Sequence, residues 1–91
     1  MSAPWRVVFA PAAARELDRL PGAQRVRAAQ RIAELAVDPF PPPSRKVVGT
    51  IYWRLRAGDI RVVYAMNEDR REVVIVRVVR RTEGTYRRLK G

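Results

Sequence analysis

The side chains in this sequence that could do chemistry are chiefly arginines and tyrosines. Of its 91 residues 17 are Arg and two are Lys, against nine Asp+Glu, and there is neither His nor Cys; the formal net charge is +10. Without His, the usual neutral-pH general base and the commonest transition-metal ligand are missing. Without Cys, a disulfide scaffold, a thiolate metal site and a cysteine nucleophile are excluded. Any catalysis must come from carboxylates, hydroxyls, Tyr, Lys or Arg. Guanidinium is a poor base, since its pKa lies above about 12, but its planar fork grips phosphate bidentately and stacks on bases. A codon bias would also raise the Arg count with no functional cause. The charge points first to nucleic acid or an acidic protein, and then to an anionic membrane surface. No apolar run approaches the roughly 20 residues needed to span a bilayer. The opening MSAPWRVVFA is too short for a signal peptide, so a cytoplasmic location is expected.

The arginines are not scattered evenly. Ile51 to Arg56 and Ile60 to Met66 both alternate apolar and polar residues around Gly58-Asp59, a tight-turn signal. A two-residue turn there sets Arg56 opposite Arg61, Leu55 opposite Val62, Arg54 opposite Val63 and Trp53 opposite Tyr64. One face then reads Ile51, Trp53, Leu55, Val62, Tyr64, Met66; the other carries Tyr52, Arg54, Arg56 and Arg61. In the last long strand, EVVIVRVVRR, Arg77 facing the core would be a buried unpaired charge, so Arg77, and with it Arg81, is expected on the same open face. Arg45 and Lys46 enter at its edge. No carboxylate is expected among them. Like charges directly opposed on a sheet are destabilising, so an anionic ligand explains the face better than a plain solvated surface does. Phosphate backbone fits best and an acidic protein segment second. Tyr52 on this face and Tyr86 beside it could stack on bases; Trp53 and Tyr64 belong by parity to the core.

The elements that must hold this face in place follow from periodicity. Trp5 to Phe9 is a short strand-like run. A helix is expected over 11–20, with Ala13, Leu17 and Leu20 inward, and a second over 23–37. On the second, Val26, Ala29, Ala33 and Ala36 fall at helical spacing, flanked by Ile32 and Leu35. Pro21-Gly22 joins them into an antiparallel hairpin whose mixed outer charges read as solvated surface. Residues 38–44, DPFPPPS, form a stiff connector, and 82–91 form a basic tail that could end in a turn of helix. The fold class is therefore α+β: one compact domain over 1–91, ordered β-α-α-β-β-β. Its helical hairpin covers one face of a small, mostly antiparallel sheet and leaves the Arg-rich face open. No phosphate-binding Gly-rich loop, nucleophile elbow or Mg²⁺-holding carboxylate pair is present, which disfavours a metal-dependent nuclease and calls for no cofactor.

YWRLRAGDIRVVY followed by VVIVRVVRRTEGTYRRL resembles the RelE/ParE superfamily of bacterial type II toxin–antitoxin toxins. Upstream, AARELDRLP, the RIAEL run before Asp38-Pro39, and the Lys46 to Gly49 K-x-x-G are similar to that family's helical hairpin and entry to the sheet. The resemblance implies one of two activities. The RelE branch comprises ribosome-dependent endoribonucleases that cut mRNA without His or metal; the ParE branch poisons DNA gyrase. Carried over by position, Arg61 and Arg81 match the arginines that hold the scissile phosphate, and Tyr86 matches the C-terminal catalytic Tyr. Arg54 and Tyr52 fall where the ribonuclease branch often has lysines, which leaves the base to Tyr86, whose phenol the surrounding arginines would acidify. The expected catalytic set is thus Arg54, Arg61, Arg81 and Tyr86, with Arg45, Lys46, Tyr52, Arg56 and Arg77 binding RNA and no metal. The implied partners are a cognate antitoxin, the ribosome and mRNA, with DNA reached only through the antitoxin complex. A gyrase inhibitor or a non-catalytic RNA- or protein-binding module is the alternative.

Overall fold

A computed structural model of the chain describes residues 4–80. Seven elements follow in order: β1 (Arg6–Phe9), α1 (Pro11–Asp18), α2 (Gly22–Glu34), β2 (Ser44–Lys46), β3 (Trp53–Ala57), β4 (Ile60–Asn67) and β5 (Glu72–Arg80). The strands form one sheet in the order β1-β5-β4-β3-β2, with β1 parallel to β5 and every other pair antiparallel. The α+β class and the helical hairpin are as expected. One strand was not: β2 follows the proline-rich connector and lies on the outer edge of β3, with Arg45 opposite Arg54. Three residues of Ser, Arg and Lys carry too little periodicity to declare a strand.

Pro11 opens α1 at its first turn, where a missing N–H costs nothing. Ala13 and Leu20 are buried and Leu17 is partly so, as the helical spacing predicts. The second helix is rotated from the expected face. Ala28, Ile32 and Leu35 are buried, whereas Val26 is 55% exposed and Ala29 and Ala33 face out. Small residues on both sides of α2 leave its rotation undecided locally, so the two large side chains, Ile32 and Leu35, set it. These helical residues close on Leu55, Ala57, Ile60, Val62, Tyr64, Val73, Ile75 and Val78 of the sheet. Tyr64, wholly buried, donates its hydroxyl to the Pro39 carbonyl at 2.6 Å. That bond ties the connector across the core.

The β3–β4 register is the expected one, from Trp53 opposite Tyr64 to Ala57 opposite Ile60. Gly58 at the turn has φ +63°, a conformation that favours glycine, and its place as first central residue fits a II′ turn. Ile51 does not extend the apolar face. It is 70% exposed in a loop closed by Val47 N–H to Tyr52 O at 2.9 Å, with Gly49 at φ +79°.

Strand β5 departs most from simple alternation. Val73 and Ile75 are buried, and so is Val78, three residues on. A bulge accounts for the change of phase: Tyr64 faces Ile75 and Val63 faces Arg77, leaving Val76 as the extra residue. Strict alternation through Val73 and Ile75 would have carried Arg77 into the core. The bulge turns it out and seats Val78 inside. No helix among the described residues is long and apolar enough to cross a membrane.

Candidate functional site

Four strands place the arginines. In register, Arg45 (β2), Arg54 (β3), Val63 (β4) and Arg77 (β5) make one row across the open face, and Arg56, Arg61 and Val79 make the next. Arg45, Arg54, Arg56 and Arg61, with Pro43 of the connector, line an open pocket of about 330 Å³. Arg45 is oriented by its own backbone, donating from Nη1 to the carbonyls of Pro42 at 2.8 Å and Ser44 at 2.9 Å. Arg54 and Arg56 make no hydrogen bond or ion pair with any described residue. Among the described residues, no acidic side chain lines the pocket. The repulsion within this cluster is borne by the opposite face of the same strands, where Leu55, Val62 and Tyr64 are almost wholly buried. Chemically, the pocket is a set of converging guanidinium forks, suited to clamping phosphate oxygens and neutralising charge that builds on them.

The other expected site residues fare differently. Arg77 is not part of a carboxylate-free face. Its Nη2 lies 2.7 Å from Glu16 Oε2 and its Nε 2.9 Å from the same oxygen. Glu16 comes from α1, and its other oxygen accepts the Val78 backbone N–H at 2.8 Å. The reason is topological. β1 pairs with β5 only from Glu72 to Ile75, so beyond that point the strand has a bare edge, and the Glu16 carboxylate caps it. Lys46 shares its row with Trp53 and Tyr64, the helix-side face, so period two places it away from Arg45. Tyr52 sits in the β2–β3 loop, 37% exposed, and does not line the pocket. Arg81 and Tyr86 lie outside the described residues. No group of three or more Asp or Glu that could hold a metal ion occurs among the described residues.

Glu16 and Pro43 are the residues that reading the sequence missed. Pro43 carries no signal beyond its place in a proline run. Glu16 could have been suspected from Arg77, a cation in an otherwise apolar strand that needs a partner, but nothing local names which carboxylate supplies it.

Burial of Glu16 opposes its ionisation. The Arg77 hydrogen bonds, the Val78 N–H and the charges of Arg77 and Arg15 outweigh that, so its pKa is lowered from the ordinary 4.5. The Glu16 hydrogen bond in turn raises the pKa of Arg77. A carboxylate depressed on folding stabilises fully above its unfolded pKa, and the contribution is lost as pH falls through the folded value. Glu16→Gln is therefore expected to cost about 1 kcal/mol at pH 7, because half of the Arg77 side chain is solvated. The gap to wild type should close below pH 4.5 as the native carboxylate protonates. Urea denaturation at pH 7, 5 and 3 measures both.

Comparison with known proteins agrees with this architecture. Residues 7–84 match the family model described as the ParE toxin of type II toxin-antitoxin system, parDE. No curated protein matches the sequence. Among solved structures, the chain is similar to the archaeal RelE–RelB complex from Pyrococcus horikoshii OT3, with 27% identity, TM-score 0.76, and coverage of 88% of this chain and 98% of that one. It is also similar to the toxin–antitoxin complex RelBE2 from Mycobacterium tuberculosis, with 25% identity, TM-score 0.74, and coverage of 86% and 99%. The isolated E. coli RelE toxin shares the fold at 19% identity, TM-score 0.73, and coverage of 94% and 96%. With the family match spanning most of the chain and the sheet and helical hairpin superposing on these toxins, the chain belongs to the ParE toxin family of type II toxin–antitoxin systems, within the RelE/ParE superfamily.

Proposed function

We propose that this toxin is a ribosome-dependent mRNA endoribonuclease that blocks translation. The observation that carries the reading is the pocket of Arg45, Arg54, Arg56 and Arg61, with no acid among the described residues of its lining. RNA supplies its own nucleophile, so a protein without His can still cut it. The 2′-OH attacks the adjacent phosphorus, the bond to the 5′-oxygen breaks, and a 2′,3′-cyclic phosphate and a 5′-hydroxyl result. Arg61 and Arg54 grip the non-bridging oxygens and neutralise the charge of the phosphorane. Tyr86 is the proposed base for the 2′-OH proton. Arg81 stabilises the leaving 5′-oxygen, whose proton comes from Arg81 or from water beside it. Arg56 and Arg45 hold flanking phosphates. In the cell, a cognate antitoxin keeps the toxin inactive, as the partnership of RelE with RelB in the similar complexes suggests.

A second reading is gyrase inhibition, favoured by the match to the ParE family model. One comparison separates the two: purified toxin with programmed ribosomes, beside a gyrase supercoiling assay. Codon-dependent mRNA cuts that fall at least tenfold in Tyr86→Phe are expected. Gyrase inhibition with the message intact would replace the first reading by the second.

A further inference from the structure

The two edges of the sheet are built differently. On one side β2 is only Ser44–Lys46 and carries Arg45 and Lys46, the short, charged form that keeps a sheet edge from pairing with another chain. On the other side β1 reads RVVF: after Arg6 it holds no charge, no proline and no bulge, and Phe9 is 38% exposed. Its hydrogen bonds to β5 use alternate residues. The Arg6 N–H goes to the Arg71 carbonyl and the Ala10 N–H to the Ile75 carbonyl, both at 2.9 Å, and the parallel register gives Val8 the same role between them. The N–H and C=O groups of Trp5, Val7 and Phe9 therefore point away from the sheet. Trp5 gives its N–H to the Ala36 carbonyl at 2.7 Å. Val7 and Phe9 find no such partner among the described residues. Charges near this edge are already paired, Arg6 with Glu72 and Arg77 with Glu16, whereas the arginines of the pocket lie on β2 to β4.

We propose that β1 docks on β1 of a second copy of this chain, about a two-fold axis passing between the two Val8 residues, so that one sheet continues into the next. The register follows by elimination. Centred on Val7, the pairing sets Phe9 against Trp5, whose N–H already belongs to Ala36. Centred on Phe9, it sets Val7 against Pro11, which has no N–H to give. Centred on Val8, it sets Val7 against Phe9, and the outward N–H and C=O groups of both residues bond in both copies. Arg6 then faces Ala10, so no like charges are opposed. Val8 meets Val8 on the open face, and Val7 meets Phe9 on the face that the helices cover. A chain of net charge +10 repels its own copy, but the excess sits far from this axis. With β3 three strands from β1 in each copy, the two arginine pockets are about 34 Å apart at the usual strand spacing, several times the Debye length of about 8 Å in physiological salt. The inference stands independently of the cutting reaction, because β1 is not part of the pocket.

Sedimentation equilibrium of the full chain, freed of nucleic acid, tests it. A contact this short belongs at the weak end of specific interfaces, so half-dimerisation is expected between about 1 and 100 µM. Raising salt from about 0.15 to about 0.5 M should tighten the dimer, because screening removes the net repulsion and no intermolecular ion pair is lost. Phe9→Pro deletes an outward N–H that the isolated chain does not use, and should weaken the dimer at least tenfold. Val8→Lys and Val8→Glu each set like charges against each other at the axis, and each alone should sediment as monomer. Mixed in equal amounts they should dimerise again, since lysine then faces glutamate. Val48→Lys, on the β2–β3 loop beyond the opposite edge, should leave the equilibrium unchanged. Circular dichroism verifies the fold of each variant, and if Phe9→Pro does not fold, the Val8 pair decides by itself. A wild-type chain that is monomeric up to about 200 µM at both salt concentrations would overturn the proposal. So would a dimer that survives Val8→Lys, or a Lys/Glu mixture that stays monomeric.

Discussion

Replacing Arg61 by alanine is expected to slow mRNA cleavage on programmed ribosomes by about 10²- to 10³-fold, the cost of removing one preorganised stabiliser of transition-state charge. Arg61 sits directly opposite Arg56 in the hairpin and shares the pocket with Arg54 and Arg45. The same substitution removes the like-charge juxtaposition with Arg56, so stability should change little, by no more than the roughly 0.2–1 kcal/mol assigned to cross-strand pairs. Activity and stability thus move apart, which a general folding defect would not produce. Arg61→Lys keeps the charge and loses the fork, and should fall between the two, about tenfold below wild type. Single-turnover cleavage rates alongside thermal denaturation decide the matter. An Arg61→Ala variant that cuts at the wild-type rate would remove the pocket from the chemistry.

Tyr64→Ala is expected to destabilise the protein by about 3–5 kcal/mol, in the range for truncating a buried aromatic. Small domains hold only about 5–15 kcal/mol in all, so much of the population should unfold well below the wild-type midpoint in urea. Two losses add here. The ring is wholly buried at the centre of β4, between the helices and the connector. Its hydroxyl also satisfies the carbonyl of Pro39, a buried residue. Burial pushes the phenol's pKa up, so it stays a neutral donor across the working pH range. Tyr64→Phe isolates the second loss and should cost about 1–2 kcal/mol, because the carbonyl is left unpaired. That variant also loosens the connector that ends at Pro43, a wall of the arginine pocket. It should therefore raise KM for ribosomes more than it lowers kcat.

The β3–β4 hairpin shows why half of the site could be read directly. Its register depends on a two-residue turn and on side chains alternating within seven residues on either side, and both are local properties of the chain. Arg54, Arg56 and Arg61 were therefore assignable to one face without coordinates, and Leu55, Val62 and Tyr64 to the other. The rotation of helix α2 is not a local property. Apolar residues surround much of its circumference, so Val26 and Ala29 matched the helical spacing as well as Ala28 does. Only contact with the sheet distinguished them.

The sequence by itself determined the α+β class, the hairpin register and the concentration of arginine on one sheet face, because each follows from short-range periodicity and one glycine turn. Tertiary structure alone decided the parallel pairing of β1, the extra edge strand β2, the bulge at Val76 and the pairing of Arg77 with a carboxylate 61 residues away. These are long-range matters. A short strand has no partner until the sheet exists, and Val76 becomes the extra residue only when β4 imposes its spacing. Glu16 reaches Arg77 only because β1 stops at Phe9 and α1 turns back over the edge it leaves bare.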